Sequence, residues 1–415
     1  YFIVMYIKSR LFFVNFILYI LAVLVLLFAL LISPLYLVRW QKMVSGRIGH
    51  FATNIELYCC ERDSGINIPK QRYIDLFYTD KEVSNNQLKT MWKREITIVP
   101  YLFGRILSKS EKLIFYLESI FPIIKSHIIG IKTSEDRDIY NLLEKFTKHL
   151  EFTPYEENIG RQQLKDAGIP ANAKFVCLIS RDDAYLNSLS GGYDWSHHDF
   201  RNADIQTFVM AAEELAEMGY YVFRMGSVVN EPIRTEHPRV IDYATSAMRN
   251  DFMDIYLGAK CYFCISVSTG YDAIPQIFRR PIVFVNMVPI GMMPTWSSRD
   301  LLLTKHHYSI HDNHELSLKE IINRKVTLCY SVKCYSENMV RLVDNTPEEI
   351  RDQVIEMVER LEKTWVPSST DKALQKRFWS IYQKNDTGAT GMPLHGRINA
   401  LFGAKFLRNN PTWLE

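Results

Sequence analysis

The apolar positions of this chain fall into two regimes. From Leu11 to Val38 the sequence is almost purely apolar, broken only by Asn15, Ser33 and the helix-ending Pro34. About 20 apolar residues at 1.5 Å rise cross the hydrocarbon of a bilayer, and this run is longer. A buried core helix of that length shows a polar face, and a cleaved signal peptide has a shorter apolar core and a small-residue exit. The run is therefore read as a membrane helix. Lys8 and Arg10 flank one end; Arg39, Lys42 and Arg47 flank the other. The positive-inside rule leans towards a cytoplasmic body, while basic flanks on both sides also suit a shallow, re-entrant anchor. The first residue is Tyr rather than Met, which leaves room for a start further upstream.

After the anchor the pattern becomes mixed and aromatic-rich as far as residue 150. Ile96–Val99 predicts a short strand and Glu111–Ser126 a helix interrupted by Pro122. The polar, Pro-containing stretch Thr153–Ala173 reads as a linker. Beyond it the periods sharpen. Lys174–Ile179 is a short apolar strand. Ile205, Phe208, Val209, Ala212, Leu215 and Ala216 then share one helical face within 205–218, closed by Gly219. Tyr220–Met225, Cys261–Val267 and Ile282–Val285 predict further strands, with helices at Asp251–Leu257 and Tyr271–Phe278 between them. Strand and helix alternating with short connections is the sequence form of an open parallel α/β sheet. Thr346, Pro347 and Glu349 give a strong start signal for a late packing helix over 347–363.

Length and composition narrow the picture. A chain of 415 residues suits two domains of about 150 residues with an appendage. Forty-nine basic against 46 acidic residues argue against a nucleic-acid binder, which carries a strongly basic face. Seven cysteines, two of them adjacent at 59 and 60, resemble neither a disulfide framework nor a closed zinc site, and suggest a reducing compartment.

Ligands of open parallel sheets bind beyond the carboxyl ends of the strands. The residues that follow each predicted strand are therefore the candidates. Arg181, Asp182, Asp183 and Tyr185 follow the first, and Arg224, Met225 and Gly226 end the second. Ser266, Ser268, Thr269 and Gly270 follow the third, and Asn286 ends the fourth. The two arginines suit bidentate phosphate contacts, and the Ser266–Gly270 turn is read as opening a helix whose N–H groups receive an anion. The bland alternatives are a helix cap and surface ion pairs. There is no Gly-Lys-Ser/Thr and no G-x-G-x-x-G. The loop Tyr193–Asp204 adds Asp194, His197, His198, Asp199, Arg201 and Asn202. It reads either as a helix cap or as a loop folding over a sugar or base; adjacent histidines are expected to diverge.

Nearer the anchor, Gly46-Arg47-Ile48-Gly49-His50 leads into Phe51–Leu57, a Gly-bearing loop opening a helix. It would place His50 at a cleft as a general base, with Glu56 and Asp63 as weaker candidates. Asp136-Arg137-Asp138 is a D-x-D within a charged run and reads as a solvated helix face rather than a metal site.

Arg181-Asp182-Asp183-Ala184-Tyr185, Arg201-Asn202-Ala203 and Arg224-Met225-Gly226, with Gly46–His50, resemble bacterial surface-polysaccharide glycosyltransferases of the two-Rossmann (GT-B) type across residues 46–300. Heptosyltransferases of that fold have a similar loop with an Asp base, where this chain has His50. The resemblance implies an α/β chain of two Rossmann-like domains behind an anchor. The anchor is 1–40, an acceptor-side domain 41–160, a nucleotide-sugar domain 161–345, and a C-terminal helix and tail 346–415. It implies a membrane-anchored enzyme at a bacterial inner membrane that moves sugar from a nucleotide-sugar donor to a lipid-linked or polysaccharide acceptor. His50 would be the base. Arg181, Tyr185, His198, Arg201, Asn202, Arg224, Gly226, Ser266, Ser268, Thr269, Gly270 and Asn286 would hold the donor, with no metal and no further cofactor. A tethered nucleotide- or sugar-binding protein, and transfer of a pyruvyl or phosphoryl group, are the competing readings. The tail Ala389–Glu415, with its basic amphipathic stretch 397–408, is expected to pack on the first domain or touch lipid.

Overall fold

A computed structural model describes residues 2–130, 137–189, 194–382 and 394–415. The chain divides into two units, residues 1–136 with 149–151, and residues 137–148 with 152–415. Both are built on parallel sheets, and a long apolar helix stands at the N-terminus, as the sequence predicts.

In the first unit α1 (Phe2–Ile32) leads into β1 (Leu37–Lys42), α2 (Ile48–Ser64), β2 (Tyr73–Tyr78), α3 (Asn86–Glu95), β3 (Thr97–Ile98) and α4 (Tyr101–Leu117). The strands form a parallel sheet in the order β1-β2-β3. The end of the apolar run thus belongs to a strand, with Leu37 and Trp40 buried. A buried pair holds this sheet to α2. Arg39 donates from Nε and Nη2 to both oxygens of Asp75, at 2.7 and 2.6 Å, and the Tyr58 hydroxyl donates to the same carboxylate at 2.6 Å. The helix expected at 111–126 begins ten residues earlier, behind Pro100, and residues 122–127 form a separate 3-10 turn. Proline's fixed φ suits a helix start, and Pro122 cannot continue one.

The second unit carries a seven-stranded, all-parallel sheet. Its strands are β4 (Phe175–Ile179), β5 (Tyr221–Arg224), β6 (Val240–Ile241), β7 (Cys264–Ser266), β8 (Ile282–Met287) and β9 (Leu301–Thr304), with a last strand at Leu401–Phe402. A separate antiparallel pair joins β10 (His306–Ser309) to β11 (Val340–Val343), so the last strand is β12. The spatial order is β12-β9-β8-β7-β4-β5-β6. Every residue of β4, β7 and β8 is buried, which is why these strands read as continuous apolar runs without alternation.

The stretch read as a linker is largely α5 (Pro154–Asp166), and the expected boundary after residue 160 falls inside it. Thr153 and Glu156 form a capping box around Pro154, the same device that starts the helix Pro347–Leu361. Gly160 lets α5 close on the Tyr256 ring, which a Cβ would strike. The tail belongs to this unit. Leu401–Phe402 extends the sheet beside β9, and the helix Ala404–Asn409 packs on the helices 347–361 and 369–382. Cys329 and Cys334 form a disulfide, a pairing the sequence reading missed.

Candidate active site

In the seven-stranded sheet β4 is the pivot. The chain runs from β4 to β5 and β6 on one side, then returns to place β7, β8 and β9 on the other. The order therefore reverses between β4 and β7, and a crevice at such a switch point is where open sheets take ligands. Arg181 lies two residues beyond β4, and Ser266–Ser268 ends β7. Arg201, the last residue of the 3-10 turn Ser196–Arg201, donates from Nη2 to the Ser268 carbonyl at 2.5 Å. The Arg201 segment is laid against the end of β4: Ala203 N donates to the Arg181 carbonyl at 3.0 Å, and Ser180 Oγ to the Ala203 carbonyl at 2.8 Å. Two guanidinium groups from separate segments are thereby held at one point on the rim.

Burial first, and then repulsion from Arg201, push the Arg181 guanidinium down to about 10, against the attraction of Asp199 and Asp182. Its buried Nε has no hydrogen-bond partner among the described residues. The neighbouring carboxylates are turned to structural work. Asp182 accepts from Ala184 N and Asn230 N, at 3.0 and 2.9 Å, and Asp183 accepts from the Asn230 side chain at 2.5 Å. A half-buried cation without a bonded partner, beside a second cation, is an arrangement that an anion completes.

The loop before Arg201 carries three rings. Trp195 stacks at 6.0 Å on both His197 and His198, and the two histidines are only 4.1 Å apart rather than diverging. The 3-10 turn, not an extended backbone, brings consecutive rings together. Asn202 anchors the far side. Its amide donates to Asp199 at 3.1 Å and its carbonyl accepts from buried Lys305 at 2.6 Å, leaving its Oδ1 without a partner among the described residues. Tyr185 is half-buried on the short helix α6 (Ala184–Leu189) that leaves this loop. Tyr193 lies outside the described residues.

Four other candidates carry contacts of their own. Arg224 is 1% exposed and committed, to Asp242 at 3.2 Å and the Glu231 carbonyl at 3.0 Å. It ties the loop after β5 to the end of β6, with only its Nε left without a partner among the described residues. Gly226 is a packing residue in that loop, where a Cβ would meet Val229 at 2.7 Å. The Ser266–Gly270 turn is closed on itself by Asp272. Asp272 accepts from Ser266 Oγ and Thr269 N, both at 2.8 Å, while Ser268 N and Tyr271 N are taken by Ser266 Oγ and Thr269 Oγ1. The helix behind it, α9 (Ala273–Ile277), has only five residues. What this turn offers the rim is the Ser268 carbonyl that orients Arg201, not an N–H cradle; Gly270 is exposed on it. Asn286 sits at φ 53 where the β8–β9 register shifts, and exchanges hydrogen bonds with Asn345 at 2.7 and 2.6 Å. It pins the end of β8 to Asn345, while its buried Nδ2 has no partner among the described residues.

In the first unit His50 occupies the third position of α2, half-buried, after a turn in which Gly46 N donates to Asp80 at 3.2 Å. Glu56 and Asp63 are engaged by His149. Its Nδ1 lies 3.0 Å from Glu56 and its Nε2 2.9 Å from Asp63. Burial opposes the imidazolium, but bonds to Cys60, Glu56 and Asp63 outweigh it and hold the ring's pKa up at about 10. The described part of the D-x-D is not a solvated helix face. Asp136 lies outside the described residues, buried Arg137 donates to the carbonyls of Met292 and Met293 at 2.8 Å, and Asp138 accepts from Leu142 N and Leu143 N.

No protein-family model and no curated protein matches this sequence. Among solved structures, the chain is similar to the ADP-heptose lipopolysaccharide heptosyltransferase II of E. coli, at 9% identity and a TM-score of 0.40. The match covers 78% of this chain and 99% of that one. It is also similar to a glycosyl transferase of family 9 from Veillonella parvula, at 11% identity and a TM-score of 0.42, over 78% of this chain and 96% of that one.

Sequence reasoning missed the partners that decide which arginine is available. Asp242 and Asp272 are single acids in polar loops, with nothing in their spacing to show that one neutralises Arg224 and the other closes the serine turn. Trp195 carried a signal that went unused, since an indole followed by two imidazoles inside six residues is a ring cluster whatever turn it adopts.

Proposed function

We propose that this protein is a glycosyltransferase that takes sugar from a nucleotide-sugar donor held at the β4–β7 rim. The observation that carries the reading is the convergence of Arg181 and Arg201 at the switch point of a parallel sheet. A diphosphate placed there satisfies both cations. As the bond between the sugar's anomeric carbon and the diphosphate breaks, negative charge develops on the leaving oxygens, and preorganised guanidinium groups stabilise it more than they stabilise the ground state. Charge stabilisation by arginine takes the place of a metal ion in this scheme. Trp195 and His198 provide stacking faces for the base or sugar, and Asn202 Oδ1 an acceptor for a hydroxyl.

His50 is assigned the base. It takes the proton of the acceptor hydroxyl as the new carbon–oxygen bond forms, and the nucleoside diphosphate departs. α1 anchors the enzyme, with an acceptor that is lipid-linked or a growing polysaccharide at the membrane; Phe12–Ile32 is long and apolar enough to cross a bilayer. The test is release of nucleoside diphosphate from a panel of nucleotide sugars by detergent-purified protein, for wild type and His50→Ala. The proposal expects turnover with at least one donor and its loss in His50→Ala with donor binding retained. Binding without turnover would mark a sensor, and neither binding nor turnover would remove the assignment.

A further inference from the structure

We propose that α4 and the turn behind it, residues 101–127, form a second membrane-contacting face of the first unit, beside α1. The inference rests on reading α1 as a membrane helix, and is independent of the sugar chemistry.

α1 is not a free tail. Leu26 and Ala29 are buried in one cluster with Trp40, Tyr78, Leu107, Ile114 and Ile124, so the helix is docked on α4, β1 and the 122–127 turn. Lys109 of α4 lies over the Tyr19 ring at 5.0 Å, which carries the contact about two to three turns further along α1. While part of α4 is spent on α1, the rest of the helix and the turn behind it leave large apolar side chains open. Leu102, Phe115, Tyr116, Ile120, Phe121 and Ile123 are 55–72% exposed. Six large apolar side chains within 22 residues are far more than the scattered exposure normal for a soluble surface.

Charge identifies what covers them. Residues 101–127 carry Arg105, Lys109, Lys112 and Lys125 against Glu111 and Glu118. Glu111 is turned inward to the Tyr78 hydroxyl, and Glu118 pairs with Lys125 at 3.4 Å. The outward surface is therefore basic and aromatic, the composition of an element lying in the headgroup layer of an anionic bilayer. The same segment packs directly on α1, whose exposed flank by length and composition belongs in lipid. A protein partner would have to cover this face while leaving that flank to the bilayer.

The full chain reconstituted in phosphatidylcholine vesicles containing phosphatidylglycerol supplies the test. The free cysteines are all buried, so single cysteines introduced by Tyr116→Cys, Leu24→Cys and Glu82→Cys can be selectively spin-labelled. Collisional access to oxygen and to a water-soluble nickel chelate is then compared. The expected result is a several-fold higher oxygen-to-nickel ratio at 116 and at 24 than at the water-exposed 82. Nickel access at 116 equal to that at 82 would overturn the proposal while leaving α1 in lipid, and low access to both reagents at 116 would overturn it in favour of a protein cover. A water-like label at 24 would remove the reading of α1 on which it rests.

Discussion

Replacing Arg181 by Met should make the ligand-free protein more stable while abolishing its response to diphosphates. The stem packs as before and only the charged end is lost. Holding that guanidinium at about 10 rather than its ordinary 12.5 disfavours the charged form in the fold. At ~1.4 kcal/mol per tenfold this is about 3 kcal/mol. Solvent screening at a half-buried site lowers the recoverable part to about 1–2 kcal/mol, or roughly 3–6 °C in melting temperature for a unit of this size. The attraction of Asp199 and Asp182 is already counted in that net shift, and the buried Nε has no bonded partner among the described residues to lose. The assay is thermal unfolding in detergent, with and without a nucleoside diphosphate, at low and high salt. Wild type should gain stability with salt, as Arg181–Arg201 repulsion is screened, and gain again with ligand; Arg181→Met should show neither gain from a higher starting point. A variant that melts below wild type by more than about 1 kcal/mol and still responds to the diphosphate would refute the reasoning, since Arg181 would then be a structural residue.

Three other outcomes follow from particular contacts. Arg224→Met strands Asp242 half-buried without its cation and should cost about 3–5 kcal/mol, seen as a lower urea midpoint; a variant as stable as wild type with weakened diphosphate binding would return Arg224 to the rim. His149→Gln should destabilise most at neutral pH and below. The imidazolium is favoured in the fold, so its contribution is complete below about 6.5 and is lost as pH rises through about 10. Urea titrations at pH 6, 8 and 10 check this, and a gap to wild type that widens with pH would have the wrong sign. Gly160→Ala should cost about 1–3 kcal/mol by driving a methyl into the Tyr256 ring, and an unchanged midpoint would mean that α5 and α8 (Asp251–Lys260) part without penalty.

The alternation of buried apolar runs with amphipathic helices made the seven-stranded sheet readable from β4 to β8, because strands buried on both faces leave few polar residues in the pattern. It did not reach β9, nor β6 and β12, which are two residues each and form by pairing with β5 and β9. The Thr153 capping box was in plain view, yet the polar composition of 153–173 concealed a helix that buries only Glu156 and Gly160. At the site, strand ends located the rim, but a strand end does not say which arginine is free. Arg181 and Arg224 occupy equivalent places in the pattern. One faces a second cation and the other a carboxylate 18 residues away, and only the folded chain distinguishes them.

The most direct measurement of the central idea is a calorimetric titration of the detergent-solubilised chain with a nucleoside and its mono- and diphosphate, for wild type, Arg181→Met and Arg201→Met. Affinity should rise with each phosphate in wild type, and the increment from the second phosphate should vanish in both variants. Equal affinity for nucleoside and diphosphate, or a second-phosphate increment that survives in either variant, would contradict it.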